Sequence, residues 1–204
     1  MTTISEIIAR WDAGDSKPYK GSLINLRAYD ADPNNIGCMC AQGQVLHLLA
    51  GWNAEQLDST DQEKADEATA KLLNISTAHA ILLRQINDSV DGAPSIVLTD
   101  PAKVLGHQAD KVLAFWLHLD SLSTQQWDAA RAAARDAAWD AAEAAAWAAA
   151  GAAAWAAAGA SNEIQGAAVM RKRKQAFYFL PLFGFDNSEA IPALPADYGI
   201  GGAA

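Results

Sequence analysis

Residues 127–160 read WDAARAAARDAAWDAAEAAAWAAAGAAAWAAAGA, a four-residue repeat whose third and fourth positions are alanine throughout. Of the 33 residues from Asp128 to Ala160, 22 are alanine, the residue with the highest helix propensity. The tract therefore predicts one long helix over residues 124–160. The first positions of the repeat are Trp127, Arg131, Arg135, Trp139, Glu143, Trp147, Gly151, Trp155 and Gly159.

The spacing of the large side chains predicts how this helix packs. Four residues overshoot one helical turn by about 40°, so side chains at every fourth position wind around the helix. A coiled coil would need a mean spacing of about 3.5 residues to keep one seam. The helix therefore needs neighbours on several sides, or it breaks near Gly151 or Gly159 and changes its facing.

The length of the tract favours contact with a second chain. A straight helix over residues 124–160 would be about 55 Å long, whereas a compact domain of this size is about 43 Å across. We therefore expect a self-association surface at Trp139, Trp147, Gly151, Trp155 and Gly159. The alternative is a monomer in which the long helix forms the core.

The sequence on either side of the tract predicts a mainly α-helical protein, namely a helical bundle around the Ala/Trp-rich helix. Helix starts are expected at Thr3-x-x-Glu6, Asn53-x-x-Gln56, Thr60-x-x-Glu63 and Ser76. Residues 22–30 (SLINLRAYD) are a candidate strand, and residues 95–100 (SIVLTD) are a brief strand or an extended link. The bundle therefore includes at most one short strand pair.

The domain organisation follows from the C-terminal composition. Residues 176–185 (AFYFLPLFGF) are rich in aromatics, and Pro181 blocks a helix through them, so an extended segment docked on the core is expected. Residues 186–204 are rich in Pro, Gly and Ala. We expect one helical domain over residues 1–185 and a loosely ordered tail over 186–204.

Charge and cysteine content narrow the partners and the compartment. A formal net charge of −9 disfavours nucleic acid and anionic membranes. Cys38 and Cys40 are too close for an unstrained disulfide, so a reducing cytoplasm is expected. Residues 144–160 are uncharged, but a spanning helix needs about 20 strongly apolar residues and alanine is nearly neutral. The expected partner is therefore a protein, which includes a second copy, and not a membrane.

Cys38, Cys40 and His47 are residue types that bind metals, so a metal site is one hypothesis for them. Zinc sites usually space their cysteines by two to four residues and need four ligands, and the other histidines are scattered. Small buried residues at a helix start are the better interpretation, so no metal and no cofactor is expected. The sequence also lacks a Gly-rich phosphate loop, a GxSxG elbow and an HExxH motif, which favours a non-enzymatic protein.

Residues 60–88 fit a helix-turn-helix pattern. The segment AKLLNIS at 70–76 supplies the turn and the Ser76 cap, and Ala80 and Leu83 follow at helical spacing. The preceding helix is acidic, so a plain helical hairpin is the better interpretation. The candidate nucleic-acid contacts are His79, Arg84 and Gln85, with Arg171 and Arg173 in the basic run 171–174.

The segment GCMCAQG at 37–43, followed by LLAG at 48–51, resembles a stretch of small uncharacterised phage and prophage proteins. Those proteins later have a Leu-rich helix ending in Leu-x-x-Asn-Asp, to which residues 72–89 are similar. The resemblance covers roughly residues 20–90 and implies a phage origin with no assigned activity. It also implies that the helix after Cys38 packs near Asn87 and Asp88. The resulting candidate polar site comprises Cys38, Cys40, His47, Asn87 and Asp88.

Three functions follow as hypotheses. The first is a non-enzymatic, phage-encoded protein-interaction or assembly protein acting in the host-cell cytoplasm. The second is a DNA-binding regulator that uses residues 60–88. The third is a small-ligand binder or enzyme with a site near Cys38, His47 and Asn87.

Overall fold

The computed structural model describes residues 2–90, 94–130, 132 and 180–199. The chain divides into two compact units, Met1–Val104 with Pro195–Ala204, and Leu105–Leu194. The boundary falls inside a short helix, so no change in composition and no linker marks it in the sequence.

The helices of the described residues follow one another in short segments. In chain order they are α1 (Ile4–Ala13), α2 (Leu26–Ala31), a 3₁₀ turn (Ile36–Cys38), α3 (Ala41–Ala50), α4 (Ala54–Ser59), α5 (Gln62–Leu73), α6 (Thr77–Ser89), α7 (Ile96–Thr99), α8 (Ala102–Leu105), α9 (Ala109–Ser121), and two further 3₁₀ turns (Leu180–Phe183 and Ser188–Ala190). The prediction of a mainly α-helical fold is confirmed.

The expected strand pair is not found in the described ranges, which contain only one isolated antiparallel bridge, between Ile24 and Met39. Residues 22–30 instead contain α2, because the Asn25 side chain accepts a hydrogen bond from the backbone N–H of Ala28 and starts a helix. Residues 95–100 contain α7, in which Val97 and Leu98 are buried. Tertiary burial here overrides the β-propensity of the apolar residues.

Side-chain caps set most helix starts. Thr3 and Glu6 form a capping box at α1, and Asn53 and Gln56 form another at α4, as predicted. At α6 the Ser76 side chain accepts from the backbone N–H three residues on. At α5 the cap is Asp61 and not the predicted Thr60, because the Asp61 carboxylate accepts from the backbone N–H of Lys64. A carboxylate also interacts favourably with the helix dipole.

The first unit is built around α3. Residues 41–46 are all buried, and α3 packs against α1, α5 and α6. A close approach to the backbone of Leu23 occurs at Gly43, where a Cβ atom would lie 2.1 Å from the Leu23 carbonyl oxygen. Glycine is therefore required at this position, because the backbone around Leu23 occupies the space of any side chain.

The second unit has an aromatic core on α9. Phe115 contacts Phe183 edge-on, with ring centroids 5.4 Å apart, and Trp127 contacts Phe183 in the same way at 5.8 Å. Residues 180–183 form a 3₁₀ turn and not the extended segment that was expected. A proline is accepted in the first turn of a helix, so Pro181 is compatible with this short element. The segment was also expected to dock on the core, and Phe183 and Phe185 are indeed buried.

The C-terminal residues are more closely packed than their composition suggests. Ser188 and Ile191 are buried, and the ammonium group of Lys111 donates a hydrogen bond to the carbonyl of Ile191 at 2.8 Å. Gly199 donates a backbone hydrogen bond to Asn74. Through residue 199 the tail is therefore held by specific contacts, which composition alone does not reveal.

Residues 124–130 are helical, as the Ala-rich tract predicts. The continuation of this helix to residue 160 and the predicted break near Gly151 or Gly159 lie outside the described residues. None of the described helices combines the length and the apolar composition that crossing a membrane requires.

Candidate functional site

Asn87 connects the end of α6 to the start of α3. Its Oδ1 accepts a hydrogen bond from the backbone N–H of Ala41 at 3.3 Å, and its Nδ2 donates to the carbonyl of Tyr19 at 2.8 Å. The same amide donates to the carboxylate of Asp88, which also accepts from the backbone N–H of Gly21 at 2.9 Å. The proximity of the two motifs, which the resemblance implied, is therefore seen as direct hydrogen bonds.

Cys40 occupies the N-cap position of α3. Its sulfur accepts a hydrogen bond from the backbone N–H of Gly43 at 3.4 Å. Burial raises the pKa of the Cys40 thiol to about 11, and burial also raises the pKa of the Cys38 thiol. A thiol must be ionised to bind a metal or to attack an electrophile. Both cysteines are free, and both environments favour the protonated, unreactive form.

His47 does not join the cysteines. It lies in the last turn of α3, and its Nδ1 makes a hydrogen bond with the carbonyl of Trp52 at 2.7 Å. Cys40 lies just before the first turn of the same helix. Among the residues that the structure describes, no three His, Cys, Asp or Glu side chains are grouped as they would be around a metal ion.

A buried polar cluster joins α3, α5 and α6. The Gln42 amide donates to the Asp66 carboxylate at 2.7 Å and to the carbonyl of Ala80 at 3.1 Å. Arg84 donates to the same carboxylate from Nε at 3.2 Å and from its terminal nitrogen at 3.0 Å. Gln62 donates to the side-chain oxygen of Gln42 at 3.0 Å. The cluster is satisfied from three helices, so it holds their relative register.

Gln44 makes the corresponding contacts on the other side of α3. Its Oε1 accepts from the indole N–H of Trp11 at 2.8 Å, and its Nε2 donates to the carbonyls of Ser16 and Met39, both at 3.2 Å. Three successive residues of α3 therefore contact different parts of the first unit. Gln42 contacts α5 and α6, Gly43 lies against Leu23, and Gln44 contacts Trp11 of α1. Both glutamines are fully buried. The sequence signal for them is a pair of glutamines that flank a glycine in an otherwise apolar helix.

Two of the candidate nucleic-acid contacts of α6, His79 and Arg84, are engaged within the fold. His79 is 3% exposed, and its Nε2 bonds to the carbonyl of Val97 at 2.8 Å. Arg84 forms its ion pair with Asp66, whose carboxylate is almost fully buried. Neither side chain is positioned to reach a phosphate or a base edge. Arg171 and Arg173 lie outside the described residues.

Tyr198 is a second residue that sequence reasoning missed. Its hydroxyl lies 3.1 Å from the backbone nitrogen of Ser76, 3.2 Å from the Ser76 hydroxyl and 3.1 Å from Nδ1 of His79. The contact joins residues more than a hundred positions apart, so no local pattern indicates it.

The candidate self-association residues, Trp139, Trp147, Gly151, Trp155 and Gly159, all lie outside the described residues. The start of their repeat is described. Trp127 contacts Phe183, and Ala130 is 7% exposed.

Three kinds of comparison with known proteins, against family models, curated proteins and solved structures, found no match for this chain.

Proposed function

We propose that this chain is a phage-encoded protein-interaction or assembly protein that acts in the host-cell cytoplasm and binds a protein partner, a second copy of itself included. The observation that carries the proposal is the use of the polar side chains of the first unit. Asn87, Asp66, Arg84 and His79 all bind neighbouring helices or loops. Such a unit is suited to hold a fixed shape.

The Ala/Trp tract supplies the candidate surface. Indole groups are enriched in the central contacts of protein interfaces, and small residues between them allow close approach of a partner. Trp127, the first residue of the repeat, packs against Phe183. This contact supports the idea that the bulky positions of the repeat are contact positions.

Mixing of differently tagged chains tests the proposal. Full-length chains with two different tags are combined, one tag is captured, and the amount of the other is measured. We expect the two tags to co-purify, and the double variant Trp147→Ala, Trp155→Ala to reduce the yield about tenfold or more, as loss of central interface aromatics does. Alanine preserves helix propensity, so circular dichroism should show unchanged helicity.

The matched control is Leu72→Ala, which removes an exposed apolar side chain from α5. It should leave co-purification unchanged. Chains that stay strictly monomeric at high concentration, with no exchange of tags, would contradict self-assembly.

The DNA-binding alternative has less support. The helix pair α5–α6 has a left-handed Asn74 at its turn and a Ser76 cap, which fits the sequence pattern. However, Arg84 is paired with Asp66 and His79 is buried. Retention of DNA at low salt, lost on changing Arg84 and Arg171 to alanine, would favour this alternative, and absence of retention would dismiss it.

A further inference from the structure

Residues 197–199 are attached to the turn between α5 and α6, within the first unit. The backbone N–H of Gly199 donates to the carbonyl of Asn74 at 2.8 Å, and the Asn74 amide donates to the carbonyl of Asp197. Between them, the Tyr198 hydroxyl reaches the Ser76 backbone nitrogen, the Ser76 hydroxyl and the ring of His79. The attachment therefore combines two hydrogen bonds of the segment's backbone with a polar cluster of three side chains.

The position of the proton on His79 follows from its contacts. A carbonyl oxygen only accepts, so the 2.8 Å contact with Val97 places the proton on Nε2. Nδ1 then presents a lone pair to the Tyr198 hydroxyl, 3.1 Å away. Burial lowers the pKa of His79, which keeps the ring neutral at pH 7. In this state Tyr198 donates to Nδ1.

In the neutral state the donors and acceptors of the cluster balance. The Tyr198 oxygen accepts from the backbone N–H of Ser76 at 3.1 Å and from the Ser76 hydroxyl at 3.2 Å. The Ser76 oxygen in turn accepts from the backbone N–H of His79 at 3.3 Å. Every polar hydrogen of these groups therefore has an acceptor, and Ser76 is fully buried among them.

A proton on Nδ1 breaks this balance. The new N–H must donate to the Tyr198 oxygen, which already accepts two hydrogen bonds from Ser76. The tyrosine proton can turn toward the Ser76 oxygen, but the Ser76 hydroxyl proton then has no acceptor within the cluster. Water does not replace the lost partner while Ser76 stays buried, so the protonated cluster contains one donor too many.

The charge on a protonated His79 is not offset by a carboxylate. Apart from exposed residues of α5, the charged side chains on the elements packed against His79 are Asp66, Arg84, Asp88, Asp100 and Asp197. In the part of the chain that the structure describes, none of them forms an ion pair or a hydrogen bond with the ring. Asp66 pairs with Arg84, and Asp100 pairs with Lys103. His47, on α3, bonds to the carbonyl of Trp52.

We propose that the Ser76–Tyr198–His79 cluster is an acid-sensitive latch, in which proton uptake by His79 weakens the attachment of residues 197–199 to the turn. When the latch opens, His79 contacts water and titrates at its ordinary pKa of 6.5, whereas burial in the closed latch lowers this pKa. The open state therefore binds the proton more tightly. The attachment is complete above about pH 6.5 and weakens as the pH falls below it.

Hydrogen exchange of the full-length chain, resolved by NMR, measures the opening. The reporter is the amide of Gly199, and its protection factor is corrected for the intrinsic effect of pH. We expect protection to fall between about fivefold and thirtyfold from pH 7.5 to pH 5.0, the upper limit being set by a pKa of 6.5 in the open state. The amide of Asn25, bonded to the carbonyl of Cys38 at 2.8 Å, is the internal control and should keep its protection.

Two variants assign the effect to the cluster. In His79→Gln the side chain does not titrate, so the protection of Gly199 should no longer depend on pH in this range. Tyr198→Phe should lower that protection about fivefold at pH 7.5, because the hydroxyl is lost, and should reduce its pH dependence. The matched control is His107→Gln, at an exposed histidine, which should retain the full acid response.

NMR titration of the His79 ring in the wild-type chain provides a test that needs no variant to fold. A His79 pKa at or above 6.5 overturns the proposal, because proton uptake would then stabilise the closed latch. Unchanged protection of Gly199 at pH 5.0, or an equal loss at Asn25, also overturns it. An acid response that persists in a folded His79→Gln assigns the effect to another group. If His79→Gln does not fold, the wild-type titration and Tyr198→Phe decide.

Discussion

Asn87, in the last turn of α6, accepts a hydrogen bond from the first backbone N–H of α3, at Ala41, with 3.3 Å between Oδ1 and the nitrogen. The first N–H groups of a helix have no partner inside the helix, so a side chain from elsewhere must satisfy them when they are buried. In this chain the cap of α3 is thus shared. The Cys40 sulfur accepts a hydrogen bond from the nearby backbone N–H of Gly43. The Asn87 side chain, from a different helix, accepts one from the backbone N–H of Ala41.

Loss of this shared cap should destabilise the first unit. We expect Asn87→Ala to lower the free energy of unfolding by about 2–3 kcal/mol, because the N–H of Ala41 and the carbonyl of Tyr19 both lose a buried partner. Urea denaturation followed by circular dichroism measures the change. Asn34→Ala, at an exposed asparagine, is the control and should change stability by less than about 0.5 kcal/mol. Equal stability of the two variants would contradict the capping role.

The Asp66–Arg84 ion pair should show a strong pairwise coupling. The Asp66 side chain is nearly buried and the Arg84 side chain is 25% exposed, so water screens the pair only in part. A double-mutant cycle with Asp66→Asn and Arg84→Gln should give a coupling energy of about 1–3 kcal/mol. Thermal or urea unfolding of the four proteins provides the values.

The exposed pair Asp61–Lys64 supplies a matched control for that cycle. Both of its side chains are more than half exposed, at 54% and 73%. Its coupling should be much weaker than that of the Asp66–Arg84 pair, because water screens both of its charges. If the two pairs couple equally, the Asp66–Arg84 contact does not have the structural role assigned to it.

Gly43 should tolerate no side chain. In Gly43→Ala the new Cβ would meet the Leu23 carbonyl oxygen at 2.1 Å, and this oxygen belongs to the backbone, so no side-chain rotation relieves the clash. We expect a loss of more than about 3 kcal/mol, or failure to fold, because the backbone of α3 or of Leu23 must move. Gly51→Ala is the comparison. It also strains a left-handed glycine, but no atom lies within 4 Å, so a loss of about 1–2 kcal/mol is expected. Comparable losses in the two variants would argue against the close approach.

Cys40 should make the stability of the chain fall at alkaline pH. Its pKa is about 11 in the folded chain against 9.0 for a free thiol. The unfolded chain therefore releases this proton at lower pH, and stability is lost as pH rises from about 9 toward 11. We expect a loss on the order of 1 kcal/mol between pH 8 and pH 10 that is smaller in Cys40→Ser, in which Cys38, whose pKa burial also raises, still contributes.

The serine variant is a close control, because a serine hydroxyl can still cap α3 but does not ionise in this range. Urea titrations at the two pH values, on both proteins, give the comparison. Rapid reaction of the folded wild-type chain with a thiol reagent at pH 8 would also contradict the protonated, buried state of Cys40.

Helix starts were accessible from the sequence, because a capping side chain and its backbone partner lie within three residues of each other. Thr3, Asn53 and Ser76 act where their patterns predicted. The short helices α2 and α7 were not predicted. Their residues have an apolar, strand-like composition. The Asn25 cap favours the helix at α2, and the burial of Val97 and Leu98 favours it at α7.

For the described residues, the sequence by itself determined the helical class, through helical spacing and local caps. Only the tertiary structure decided which polar residues matter. The Gln42–Asp66–Arg84 cluster and the Ser76–His79–Tyr198 contact join residues that are distant along the chain, so no local pattern marks them. The physical reason is desolvation. A buried polar group must find a partner wherever the fold brings one, and sequence spacing does not record which helices meet.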